Sequence, residues 1–242
     1  MREPWTYPGT YDVVRRRTSE IQQQKRYGSD LVVLDTEFSP ASLQLWEFSI
    51  VEKVSGKCLI DTCVKHRNGL NHASRTGILR TTSKNKANTI YKSPRRTTAL
   101  TADEIAEKLV AAGITPNTIF IVWHYGKADL RLLREFLEAE GHTGILPKNK
   151  NCISLLRPYH DNLRVAPRGL RTFPLKLEIL FPIFFPRHDL IGLNHRALED
   201  TLQTRLLALA FDELCKPIEE REENWQPEDL TLKSQTCITD FY

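Results

Sequence analysis

No apolar run in this 242-residue chain approaches the roughly 20 residues that span a bilayer. The opening Met1-Arg2-Glu3-Pro4-Trp5 also lacks the apolar core of a secretory signal. Cysteine is scarce. The five present (Cys58, Cys63, Cys152, Cys215 and Cys237) make an odd number and form no C-x-x-C pair. That disfavours a zinc site or a disulfide framework and fits reduced thiols inside a cell, nuclear or cytoplasmic. No internal repeat is visible. Net charge is small, +4, so it says little about partners.

The local absence of one sign of charge says more. From Lys65 to Leu100 there is no Asp or Glu, but there are nine bases, among them Arg75, Arg80, Lys92, Arg95 and Arg96. A segment this purely basic reads as a surface for phosphates, with Arg95 and Arg96 as candidate nucleic-acid contacts. The plainer alternative is a solvated loop. The end of the chain is acidic instead, with Glu219, Glu220, Glu222, Glu223, Glu228 and Asp229.

What is present is a layered α/β pattern. Residues 1–29, with Pro4, Pro8, Gly9 and Arg15-Arg16-Arg17, read as an irregular arm. Residues 30–38 read as a buried strand, Leu43 to Val54 as a second strand, and Lys57 to Val64 as its hairpin partner across Ser55-Gly56. Residues 65–100 show little periodicity. Thr101-Ala102-Asp103-Glu104 matches a capping box, and the helix it opens ends at Gly113. Thr118 to Trp123 reads as a strand and Lys127 to Glu140 as a helix. Residues 151–157 read as a short strand leading to a turn. Phe173 to Phe185 reads as a helix broken at Pro182, and Leu198 to Cys215 as the last long helix. Past Pro217 the chain reads as a loosely attached tail. The expected domain is residues 30–215, a mixed sheet that is antiparallel at its start with helices on its faces, followed by an acidic tail over 216–242.

Chemistry-bearing residues sit at the ends of these elements. Asp35 and Glu37 close the apolar run Leu31-Val32-Val33-Leu34. Two strand residues apart, they share a face with Cα atoms about 6.6 Å apart. Carboxylates held that close repel unless cations lie between them, and hard divalent cations take oxygen ligands. Asp129 falls in the first turn of the helix after the fourth strand, where an acid also simply favours the helix dipole. His195 and Asp200 are five residues apart, about 500° of helix rotation, so they converge only if His195 lies in the loop before the helix. Gly192 and Asn194 make that loop plausible. Glu199 would point about 100° away from Asp200. His188, beside Asp189, is the rival base, and His124 reads as a structural residue at a strand end. Four acids and one His can hold divalent metal and deprotonate a water.

Three segments carry a family resemblance: Leu34-Asp35-Thr36-Glu37, then Val122-Trp123-His124-Tyr125-Gly126-Lys127-Ala128-Asp129, then His195-Arg196-Ala197-Leu198-Glu199-Asp200. Together they resemble the DEDDh family of 3′→5′ exonucleases, the ribonuclease T and DNA polymerase III proofreading-subunit superfamily. Lys176-Leu177-Glu178-Ile179-Leu180 is similar to the L-x-x-L helix that the family places before its third motif. The resemblance covers roughly residues 30–215 and implies a ribonuclease H-like fold. It implies that Asp35, Glu37, Asp129 and Asp200 hold two Mg²⁺ or Mn²⁺ ions, that His195 is the general base, and that the product is a nucleoside 5′-monophosphate. The chain departs from the family at Tyr125, where an Asn is usual. Tyr125 is therefore either a stacking residue or a space filler. Phe38 is a candidate to stack on the terminal nucleotide, since aromatic stacking grips single strands without reading sequence; its alternative is ordinary core.

The expected substrate is a single-stranded 3′ end of RNA or DNA, with no membrane partner. Two other readings stay open: a non-catalytic nucleic-acid or protein-binding module on the same fold, and a nuclease subunit docked onto a larger complex by the arm or the acidic tail. Retention of all five site residues favours the enzyme.

Overall fold

The structure, a computed structural model, describes residues 31–40, 42–69, 98–124, 126–162, 175–220 and 225–232. They form a mixed five-stranded sheet with helices on both faces, an α/β fold consistent with a ribonuclease H-like arrangement. The strands are β1 (Leu31–Phe38), β2 (Leu45–Glu52), β3 (Cys58–Cys63), β4 (Ile119–Val122) and β5 (Cys152–Ser154), in spatial order β3-β2-β1-β4-β5. The first three are antiparallel, as the hairpin signal predicts; β4 and β5 run parallel to β1.

β1 and β2 are nearly continuous apolar runs because both of their faces are covered. Val32, Leu34, Phe48, Ile50 and Phe120 face one side. They pack against α1 (Ala102–Ala111), through Ile105 and Leu109, and against α2 (Ala128–Ala139), through Leu130, Leu133 and Leu137. Val33 and Ile121 face the other side, against α3 (Leu156–Asn162), α4 (Leu177–Phe184) and α5 (Ala197–Leu214). Alternation along β1 thus sends Asp35 and Glu37 to the α5 side and Thr36 to the α2 side.

The capping box of α1 forms as expected. The Glu104 N–H donates to Thr101 Oγ1 at 3.4 Å, and the Thr101 N–H donates to Glu104 Oε2 at 2.8 Å. Three expectations are corrected. Residues after β5 form a helix, α3, rather than a turn; Tyr159 anchors it, buried and donating from its hydroxyl to the Leu207 carbonyl of α5 at 2.7 Å. The helix before the third motif does not break at Pro182 but runs to Phe184. Proline deletes one backbone bond there, and burial of Phe181 and Phe185 holds the last turn. The segment after Pro217 is not loose throughout: Trp225 and Leu230, the latter in α6 (Asp229–Leu232), pack on the second core. The 1–29 arm, residues 70–97 of the basic segment and residues 233–242 of the tail lie outside the described residues. Among the described residues, no helix is long and apolar enough to cross a membrane.

α5 is fastened to the β2–β3 turn by the buried Arg205. Its Nε donates to the Lys53 carbonyl at 2.8 Å and its Nη2 to the Val54 carbonyl at 2.7 Å. Gly56 of that turn has φ +77°, and a Cβ there would lie 2.9 Å from the Arg205 Cζ. Gly56→Ala therefore strains the turn and pushes on a guanidinium held by two hydrogen bonds. It should lower unfolding stability by about 2 kcal/mol, read as a lower urea midpoint. An unchanged midpoint would mean that Arg205 does not fix this turn.

Candidate active site

The expected site residues meet at the C-terminal edge of β1. β1 pairs with β4 only from Leu31 to Val33, whereas it pairs with β2 from Val32 to Phe38. Asp35 and Glu37 therefore lie where β1 has outrun its pairing with β4. In α/β sheets this edge, where connections diverge, is where ligands bind.

α5 brings the third motif to the same edge. His195 precedes the helix, in the left-handed region at φ 65°, a conformation uncommon for residues other than glycine. Its backbone N–H donates to Asp200 Oδ2 at 2.9 Å, which ties the loop to the first turns of the helix. Gln203 holds the loop further back. Its Nε2 donates to the Leu190 carbonyl at 2.9 Å and to Asn194 Oδ1 at 3.1 Å. One ligand atom each from Glu37, His195 and Asp200 lie within 4.8 Å of one another. His195 Nε2 lies 3.5 Å from Glu178 Oε2 of α4, so this helix supplies a carboxylate beside the ring.

Asp129 enters from α2. Lys127 starts that helix in a left-handed conformation, φ 49°, which sets Asp129 in the first turn. The Asp129 Oδ1 accepts from Thr36 Oγ1 at 2.8 Å, a buried bond that crosses from the helix to the strand between the two β1 acids. Electrostatics ties the set together. Burial first, then the carboxylates of Asp129, Asp200, Glu37 and Glu47, push Asp35 well above its ordinary value of 3.8. Burial also raises Asp129, against the lowering effect of the Thr36 hydrogen bond. Carboxylates crowded this way gain from divalent cations among them, and the donor set (carboxylate oxygens with one imidazole) suits Mg²⁺ or Mn²⁺.

The rival residues have other work. His188 Nδ1 accepts from the Leu190 N–H at 3.1 Å, and its ring meets Phe181 and Phe185 edge-on. Burial lowers its pKa, with Asp189 opposing. Glu199 pairs with Arg196 at 2.8 Å. His124 Nδ1 accepts from the Gly126 N–H at 3.4 Å, a local bond at the strand end. Phe38 ends β1 opposite Leu45, half-buried, just after a register shift. Tyr125, Arg95 and Arg96 lie outside the described residues.

Three contributors carry no role in the sequence reading: Thr36, Glu178 and Glu47. Only Glu47 leaves a trace in the sequence, as an acid inside the apolar strand Leu-Trp-Glu-Phe-Ser-Ile-Val. Compared with models of protein families and with curated proteins, the chain matches none.

The Asp35 shift fixes a pH dependence. A raised folded-state pKa means stability that is present below 3.8 and is lost as pH rises through the raised value. In EDTA, Asp35→Asn, which mimics the protonated acid, should gain Tm over wild type progressively as pH rises above the ordinary carboxylate value of 3.8. The gain should reach at least about 3 °C, and Mg²⁺ should narrow it. Parallel melting curves for the two proteins across that range would show that Asp35 is not destabilised by its neighbours.

Proposed function

We propose that this chain is a metal-dependent 3′→5′ exonuclease of the DEDDh type. It hydrolyses phosphodiester bonds at the 3′ end of RNA or DNA and releases nucleoside 5′-monophosphates. The observation that carries the reading is the convergence of Glu37, His195 and Asp200 within 4.8 Å at the open end of β1, with Asp35 and Asp129 in electrostatic contact. These residues come from three segments spread over the 35–200 stretch of the chain that together resemble the family's three motifs.

Asp35, Glu37, Asp129 and Asp200 hold the cations. Bound there, divalent metal lowers the pKa of water and offsets charge developing on the scissile phosphate and the leaving 3′ oxygen. His195 takes the proton from the attacking water, the general-base role that imidazoles fill most often. Glu178 keeps the imidazole turned toward the acids through its contact at Nε2. Thr36 fixes one Asp129 oxygen and leaves the other for metal. Phe38 packs on the terminal nucleotide, and the basic segment from Lys65 to Arg96 neutralises phosphates farther from the end.

The test is shortening of 3′-labelled and 5′-labelled single-stranded RNA and DNA with Mg²⁺, Mn²⁺ or EDTA. Wild type should remove the 3′ label first, only with metal, and the preferred sugar identifies the substrate. His195→Ala should lower kcat by about 10²–10⁴-fold, and Asp35→Ala should abolish cutting while the protein stays folded. Cutting by purified Asp35→Ala, or shortening from the 5′ end, would sink the reading.

A further inference from the structure

Glu47 lies inside β2, buried, on the α5 face of the sheet. Its Oε1 accepts the backbone N–H of Ala197, the first helical residue of α5, at 3.0 Å. The first N–H groups of a helix need an outside acceptor, usually the side chain at the N-cap. Here the N-cap is Arg196, which makes no side-chain cap. The acceptor comes instead from a strand 150 residues earlier in the chain.

A neutral side chain of the same reach would satisfy that N–H equally well, but this one stands directly opposite Glu37 across the β1–β2 ladder. Like charges so placed repel, although the positive end of the α5 dipole offsets part of that. One helical turn on, Thr201 Oγ1 lies 3.3 Å from the Ser49 carbonyl, where Ser49 is the ladder partner of Asp35. The start of α5 is therefore indexed against β2 residue by residue, at the two positions whose β1 partners are the acids Glu37 and Asp35.

We infer that Glu47 is the positioning residue of the cleft: by capping α5 from β2 it fixes His195 and Asp200 relative to Asp35 and Glu37, without contacting substrate. The inference rests on the metal-dependent reading above and assigns within it a residue outside the five-residue motif set. Reach and charge are separable at this position. Glu47→Gln keeps the reach and the acceptor oxygen and removes the charge. Glu47→Asp keeps the charge and withdraws the acceptor by one methylene.

The experiment measures Mn²⁺ affinity by calorimetry, hydrogen exchange at the Ala197 amide, and cleavage of 3′-labelled strands for the full chain and both variants. If position is what matters, Glu47→Gln stays within about threefold of wild type in Mn²⁺ affinity and keeps the amide protected. Glu47→Asp then loses about 10–100-fold in affinity, exposes the amide and cleaves proportionately less. A wild-type-like Glu47→Asp with an impaired Glu47→Gln would overturn the inference, since charge rather than position would then matter. So would Mn²⁺ binding unchanged in both. Wild type that binds Mn²⁺ yet cuts no strand would refute the exonuclease reading alone, leaving the contrast between the two variants to judge Glu47.

Discussion

The site depends on how α5 lies along β2. Four helical residues rise about 6 Å and two strand residues about 6.6 Å, so a helix running along a strand can bond to it about once per turn. α5 does so at its start, with Ala197 on Glu47 and Thr201 on the Ser49 carbonyl. Farther on, the longer Arg205 reaches the Lys53 and Val54 carbonyls, and Lys53 pairs with Asp212. Apolar burial alone would hold the helix on the sheet but would let it slide. These polar contacts fix its register, and the register decides whether His195 and Asp200 arrive beside Asp35 and Glu37. Buried polar groups carry that specificity because each must be satisfied.

The same edge is where the fold gives up stability. Asp35, Glu37, Glu47, Asp129 and Asp200 share one end of the sheet, and burial and mutual repulsion together raise Asp35. A helix N-terminus and the Thr36 hydroxyl soften this. The two hydrophobic cores, one on each face, leave the edge itself open. Stability therefore resides in the layers, and the acids sit where the layers end. That arrangement lets a carboxylate cluster exist in a folded protein.

Much of this was legible in the sequence where local signals agree with the fold. The apolar run Leu31 to Leu34, the Thr101/Glu104 capping box and the Ser55-Gly56 turn each specify their element without help from elsewhere. The H-x-x-x-x-D spacing demanded a loop histidine and a helical aspartate, and the structure has both. The failures share one cause. Pro182 carries a local stop signal, but Phe181 and Phe185 are buried and the helix continues. The short strand expected over 151–157 leads not into a turn but into a helix, where Tyr159 finds the Leu207 carbonyl. Trp225 and Leu230 sit in an acidic stretch that hides their packing on α5. Tertiary contact overrides local propensity in each case. The roles of Glu47, Thr36 and Glu178 could not be read for the related reason that they lie in partners 150, 93 and 17 residues away, although Glu47 stands out as an acid in an apolar strand.

Asp200 shows why the third motif is compact when the rest of the site is dispersed. Its Oδ2 accepts the His195 N–H, so the residue that would hold metal also closes the loop that carries the proposed base. His195 stays in a left-handed conformation that costs energy for a side chain with a Cβ, and this bond is among the contacts that keep it there. If the two residues lay one helical turn apart on α5, they would share a face, but the histidine would be fixed to the helix surface. Placed five apart across the helix start, the histidine gains reach toward Glu37 while the aspartate stays anchored in the first turns. The spacing is thus a geometric requirement of pairing a loop base with a helix-borne acid. Glu47 accepts from Ala197, two residues after the histidine and three before the aspartate, at the junction where that pairing is set.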